Sequence, residues 1–441
     1  LNFVFIKFLS NLISVSTAVF FLARLIVALG TITFNLVLGR SLGSEAVGIF
    51  MMAFSLVVGF GVLSRVGLEN ALLRFASIAY SDSNRFEWGY IKSWTFLVAG
   101  FASLVLAGIL WIGRGYLALD VFEESKLARL LEPMAILLPL YTLLCLQVVL
   151  FKAFRQPVMA CFFEVGTIFF AVSVIFMVSN SLGLTVGVVD VAWILCCVLL
   201  VAGGLAFGLL RIVAQRRFGA VAWFPIRIKI EDSFLASLPD YTLISLASYL
   251  VQWVGILIIG GFVSAGELGV FSVAHRLALS LTFFLILCNS VLGPRLASLY
   301  SQGRMAELDR LVRNSTLCML VVAIPVALLL ICFPSYFLGL FGVDFQRGAN
   351  LLVILVLGQL INIATGPVGL LLNMCGLQRQ VRNILIFSAF FTSLITLLLV
   401  PRWGVTGAAL ATTIAVVLQN LLVFWRARLF MMSQILKRKV G

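Results

Sequence analysis

The sequence predicts an all-α membrane protein of about twelve transmembrane helices in two pseudo-symmetric six-helix bundles. Three observations carry that expectation. Of 441 residues, 62% are hydrophobic and only 11% charged, whereas a soluble domain carries roughly 25% charged residues. Apolar runs of about 20 residues recur along the whole chain, each enough for a helix to cross ~30 Å of hydrocarbon. The two halves also carry similar segments in one register.

The runs place spans at 17–38, 46–68, 93–113, 132–151, 158–180, 186–210, 236–262, 268–293, 315–333, 349–372, 384–400 and 405–425. The first follows Lys7 but is too long for the apolar core of a signal peptide and has no clear small-residue cleavage site, so it is kept as a span. A start at Leu1 points to an unusual start codon or a trimmed end. Orientation follows from Lys and Arg in the loops. With the N-terminus inside, 22 of the 31 basic residues fall on the inner side and six on the outer; Arg24, Arg65 and Arg276 lie within spans. Both termini are therefore expected in the cytoplasm.

That bias accounts for most of the net charge of +14, so no nucleic-acid partner is expected. The eight cysteines lie in or beside spans without CxxC spacing. Neither a metal site nor a disulfide framework is indicated.

The basic stretch "RIVAQRRFGAVAWFPIRIKIED", 211–232, divides the spans six and six. The expected organisation is an N-terminal bundle at 1–212, a cytoplasmic basic linker at 213–233 and a C-terminal bundle at 234–441. "GIFMMAFSL" at 48–56 aligns with "GVFSVAHRL" at 269–277 at an offset of 221, and the same offset carries "RFAS" at 74–77 onto "RLAS" at 295–298. Six spans per half insert both halves the same way up, as a parallel repeat. Transporters built this way bind near the midplane.

Two further stretches carry a family resemblance. "LVLGRSLGSEAVGIF" (36–50) looks like the N-terminal pattern of the polysaccharide transporter family. "QVRNILIFSAFFTSLITLLLVPRWGVTGAALATTIA" (380–415) resembles its C-terminal pattern, an Asn opening the eleventh span, then Pro, then Gly-x-x-Gly-Ala-Ala. With length and span count the resemblance covers nearly the whole chain. It points to the O-antigen or Wzx-type flippase branch of the MOP superfamily, which includes the MATE multidrug exporters and the lipid II flippase. It implies a MATE-like, V-shaped pair of bundles in the bacterial inner membrane. Such a protein moves undecaprenyl-diphosphate-linked oligosaccharide to the outer leaflet by alternating access, for O-antigen, capsule or exopolysaccharide assembly. A monomer is expected, with transient contact to the polysaccharide polymerase and chain-length machinery.

Candidate binding residues follow from charge placement. An arginine at a span centre costs about 2.5–3.5 kcal/mol on insertion scales, so it normally faces protein or a water-filled cavity. Arg24 shares a helical face with Thr31 and Asn35. In the seventh span Tyr241, Ser245, Ser248 and Gln252 follow the same spacing, and Arg276 shares a stripe with Ser272 and Ser280. These residues are expected to line one cationic, hydroxyl-bearing cavity, with arginine gripping phosphate oxygens. Alternatives stand beside each. Arg24 is near enough to its span end to snorkel, and Arg65 has Glu69 one turn on as a structural partner. Arg74 and Arg295, symmetric mates at cytoplasmic ends, are either an entry site for phosphate or part of the positive-inside bias. His275, the only histidine, is a candidate for proton coupling or a hydrogen-bonding neighbour of Arg276. Glu164, Asp190 and Asp240, near span ends, read as caps, loop pairs or interface residues.

Two other classes compete. A MATE-type cation antiporter should place Asp or Glu in its cavity, whereas the deep charges here are arginines. A membrane-embedded polysaccharide polymerase would want carboxylates or histidines clustered in a sizeable loop, which the outer loops lack. No catalytic site is expected. Without a phosphate-cradling P-loop, an H+ or Na+ gradient or consumption of the product outside is the expected energy source, with no cofactor.

Overall fold

The computed structural model describes residues 15–82, 85–219 and 232–440; among them every regular element is helical. In chain order the helices are α1 (Val15–Arg65), α2 (Leu68–Asp82), α3 (Arg85–Tyr116), α4 (Ser125–Ala153), α5 (Pro157–Phe162), α6 (Val165–Ser181), α7 (Val188–Phe218), α8 (Asp232–Tyr249), α9 (Gly255–Gly260), α10 (Ala265–Leu279), α11 (Phe283–Ser301), α12 (Met305–Cys332), α13 (Pro334–Gly339), α14 (Ala349–Thr365), α15 (Val368–Met374) and α16 (Gln378–Val440). A π turn, Leu250–Val254, joins α8 to α9.

Eight helical stretches among the described residues are long and apolar enough to cross a membrane. Two of these are double. α1 bends at Gly43 (φ 81°) and α16 at Gly404 (φ 53°), shortly after Pro401. Positive φ is cheap only for glycine, and these two bends part the first span from the second and the eleventh from the twelfth. Short α6 is apolar as well, and the interrupted stretch α10–α11 covers the expected span at 268–293. The expected all-helical, multi-span architecture is what the chain adopts.

One helix was not expected. α2 falls partly where an inner loop was read, and it is amphipathic. Leu68, Ala71, Leu72, Phe75, Ala76 and Ala79 are buried on one face while Arg74 is exposed on the other. That three-and-four spacing is the signature of a helix lying against a packed surface.

The chain forms two compact units. One is Val19–Gly269; the other is Val270–Gly441 together with the described residues ahead of Val19. α8 packs with the first unit, past the basic stretch at 213–233. Phe234 lies between Phe75 (5.2 Å) and Trp94 (5.7 Å), and Tyr249 donates to the carbonyl of Ser55 at 3.0 Å. Trp253 meets Phe54 edge-on at 5.8 Å. Of the expected linker, 213–218 is the end of α7, and 220–231 lies outside the described residues.

Lipid is as apolar as a leucine side chain, so helices in a membrane associate through close packing rather than hydrophobic burial. In the first unit Phe34 stacks on Phe169 (4.4 Å), and Phe50 and Phe54 close around them. Gly30 and Gly166 let α1 and α6 touch backbone to backbone. In the second unit Leu292, Leu296, Leu308, Leu372 and Val423 form the core shared by α11, α12, α15 and α16.

Candidate functional site

A cavity of about 450 Å³ opens in the first unit between α1, α2, α4 and the start of α6. Its wall is apolar apart from Glu69, Asn70, Tyr141, Cys145, Lys152 and Glu164. The charges there are paired. Arg24 Nη1 lies 2.7 Å from Glu164 Oε2, and Lys152 Nζ lies 2.9 Å from Glu164 Oε1. One carboxylate is thus held between two cations. On the α2 side Arg65 Nε lies 2.7 Å from Glu69 Oε1.

Local sequence sets each position. α1 ends at Arg65, where Val66 and Gly67 adopt positive φ (42° and 71°) and return the chain into α2. Glu69 therefore sits one turn beyond Arg65. Glu164 is the N-cap residue of α6, after the short helix Pro157–Phe162, but its side chain makes no capping bond there. Its carboxylate turns instead to Arg24, 140 residues earlier. Lys152 occupies the last turn of α4, where a cation also suits the helix dipole.

The pairs differ in solvation. Side-chain exposure is 5% for Arg65 but 37% for Lys152. Arg65 lies over the Tyr141 ring at 5.6 Å, and its Nη1 has no hydrogen-bond partner. Two opposite charges ~4 Å apart gain about 4 kcal/mol at an effective dielectric of ~20, and desolvation offsets much of that. Such pairs hold the arginines in position at a modest net gain. Three cations face two carboxylates, leaving one positive charge in excess.

The expected site residues of this unit separate into groups. Arg24 and Arg65 come to the same cavity, each through its carboxylate. Ser245 reaches it indirectly, accepting from Asn70 Nδ2 at 3.3 Å. Thr31 and Asn35 bond back into α1: Thr31 Oγ1 donates to the Val27 carbonyl and Asn35 Nδ2 to the Thr31 carbonyl. Asn35 is fully buried. Ser248 likewise donates to the Ile244 carbonyl. Tyr241 is half-buried and Gln252 exposed; neither lines the cavity. Arg74 lies over the ring of Phe75 at 5.5 Å on the exposed face of α2.

In the second unit Ser272, His275, Arg276 and Ser280 follow one another along α10 and the 3-10 turn Ser280–Thr282. His275 stacks on Phe271 at 5.8 Å. Ser272 is buried with its hydroxyl unpartnered, Ser280 donates to the Leu277 carbonyl, and Arg276 is half-buried. Arg295 is exposed on α11.

One expectation is corrected: Lys152, read in an inner loop, lies in the last turn of α4 and in the cavity wall, where Glu164, the N-cap residue of α6, pairs with it and with Arg24. The deep charges were read as arginines; at this cavity two carboxylates, Glu69 and Glu164, stand with them. Asp190, by contrast, does cap, accepting from the Gly187 N–H at 2.8 Å.

The family model described as polysaccharide biosynthesis protein matches residues 14–300. The chain belongs to that family. A second model, MatE, matches residues 242–399 of this polysaccharide biosynthesis protein. Over 182 residues it is 22% identical to the "Probable low-salt glycan biosynthesis flippase Agl15" of Haloferax volcanii, covering 40% of this chain and 38% of that one. Over 161 residues it is 26% identical to "Uncharacterized membrane protein MJ1068" of Methanocaldococcus jannaschii, covering 36% and 32%. The chain thus spans less than half the length of both relatives.

Two solved structures give the fold. The inward-facing conformation of a multidrug resistance MATE family transporter of the MOP superfamily superposes with a TM-score of 0.71 at 12% identity, covering 94% of this chain and 98% of that one. Lipid II flippase MurJ in an inward closed conformation gives a TM-score of 0.73 at 15% identity, covering 93% and 87%. The chain therefore has the fold of these multi-pass MOP-superfamily proteins.

Proposed function

We propose that this protein flips a polyprenyl-diphosphate-linked oligosaccharide across the membrane by alternating access. The lipid is undecaprenyl diphosphate, the membrane is the bacterial inner membrane with both termini cytoplasmic, and the glycan serves O-antigen, capsule or exopolysaccharide assembly. The observation that carries the reading is the Arg24–Glu164–Lys152 cluster. A diphosphate is an acceptor-rich dianion that competes with a carboxylate for guanidinium and ammonium donors. Arg65, behind Glu69, adds a third cation beside the cavity, and Asn70 offers a polar group for sugar hydroxyls. Family membership and the flippase relative agree with it.

A second reading has its own observation. Glu69 and Glu164 give the cavity two carboxylates, which a MATE-type cation antiporter could use. One experiment separates them. The protein is reconstituted in vesicles carrying a fluorescent polyprenyl-diphosphate disaccharide, and the fraction accessible from outside is followed with and without an H+ or Na+ gradient. Flipping that is lost in the Arg24→Ala/Lys152→Ala variant supports the flippase. Organic-cation uptake that is lost in Glu69→Gln/Glu164→Gln, with no glycolipid movement, supports the antiporter instead.

A further inference from the structure

A second cavity, about 330 Å³, lies wholly within the second unit, between α12, α14, α15 and α16. Asp309, Arg313 and Arg428 stand among its lining residues, and Leu317, Leu320 and Phe424 contribute to its apolar wall. Asp309 sits between the two arginines, 3.2 Å from Arg313 Nε and 3.8 Å from Arg428 Nη1. Arg428 also lies over the Phe424 ring at 5.2 Å. Both guanidinium groups remain accessible, with side chains 62% and 47% exposed.

We propose that this cavity binds one anionic phospholipid, its phosphodiester on Arg313 and Arg428 and an acyl chain along Leu317 and Leu320. Charge, depth and chemistry favour that occupant. Two arginines against one aspartate leave a single positive charge, which one phosphodiester neutralises. A zwitterionic lipid brings the same phosphodiester with a quaternary ammonium, so its zero net charge leaves the site's positive charge uncompensated. Arg313 to Leu320 is seven helical residues, about 10 Å along α12, so a charged level and an apolar level are stacked as they are in a bilayer leaflet. This end of the unit carries Arg304, Arg310 and Arg426 as well, and the positive-inside bias assigns it to the cytoplasm. Basic pockets between helices on that side suit anionic head groups. The wall is unsuited to a glycan. Its two hydroxyls donate into their own helices, Thr316 to the Val312 carbonyl and Thr365 to the Asn362 carbonyl, leaving few donors to read sugar hydroxyls.

The test is native mass spectrometry of the delipidated full chain with dioleoyl phosphatidylglycerol, the matching phosphatidylcholine, inorganic phosphate, or a polyprenyl phosphate. Phosphatidylglycerol should be retained preferentially over phosphatidylcholine. Retention should fall by on the order of tenfold in Arg313→Ala/Arg428→Ala and recover in Arg313→Lys/Arg428→Lys. Leu320→Trp, which fills the apolar wall and leaves the charges alone, should also weaken phosphatidylglycerol. Equal retention of both phospholipids, or unchanged retention in the double alanine variant at matched monodispersity, would overturn the proposal. So would full displacement by inorganic phosphate, which would mean a simple anion site. Polyprenyl phosphate outcompeting phosphatidylglycerol would overturn it too, because the cavity would then belong to the transported lipid.

Discussion

Gly48 and Gly269 meet backbone to backbone, and the contact is reciprocal: a Cβ on Gly48 would strike the carbonyl oxygen of Ala265, and one on Gly269 that of Ser44. Ser44 and Ala265 are themselves separated by the repeat offset of 221 that aligns the two glycines. The contact therefore maps onto itself under the internal repeat. Both sides are small-x-x-x-small steps, which allow close approach of helices in lipid.

Gly48→Val and Gly269→Val should each lower the melting temperature of the solubilised protein. Overpacking a tight contact costs typically 1–3 kcal/mol. The double variant should cost less than the sum, because the first substitution already opens the crossing. Thermal unfolding followed by tryptophan fluorescence measures this, and wild-type melting of Gly48→Val would contradict it.

The shared carboxylate predicts a graded response at the cavity. Arg24→Ala leaves Glu164 paired with Lys152, and Lys152→Ala leaves it paired with Arg24, so each should retain part of the transport. Losing both cations removes charge-assisted contacts worth about 1.5–3 kcal/mol each and strands a carboxylate. Transport by Arg24→Ala/Lys152→Ala should drop by at least two orders of magnitude. Glycan export in cells at matched protein level is the measurement.

Arg276 extends the same test to the second unit. Arg276→Ala should abolish export while protein level stays near normal, because removing a charge from a span eases insertion. Arg276→Lys should rescue in part, keeping the charge but losing the planar fork. Full export by Arg24→Ala/Arg276→Ala would leave both arginines as structural residues only.

Topology and energy source are tested together in cells and vesicles. Reporters fused after Leu182 or Phe345 should read as external and one within 213–230 as internal; the reverse would invert the membrane orientation. Transport should persist in energised vesicles without nucleotide, and a strict ATP requirement would remove the ion-gradient reading.

The spans were legible because apolar length is a one-dimensional property. The breaks between spans at 38–46 and 400–405 and the offset of 221 were readable in the same way; that Gly43 and Gly404 make the bends was not. The site was only half legible. Arg24 and Arg65 were visible as charges out of place, but Lys152 and Glu164 lay at span ends, where hydropathy gives every charge a bland explanation. Nothing in the sequence says that Glu164 faces a side chain 140 residues earlier. Arg313 and Arg428 were hidden differently. Counting basic residues loop by loop records their number and erases which helix face they share.

The π turn at Leu250–Val254 has a genetic consequence. A π turn accommodates one residue more than an α-helix of the same rise, and commonly marks an insertion absorbed without breaking the helix. Deleting one residue there should relieve the π turn into regular α-helix and leave the residues beyond it facing as they do. The same deletion in the body of α8 would rotate everything beyond it by about 100°. Trp253 would leave Phe54, and Gly260 would leave Met52, which crowds the space a side chain at that position would need. A single-codon deletion within Leu250–Val254 should therefore be far better tolerated than one in α8.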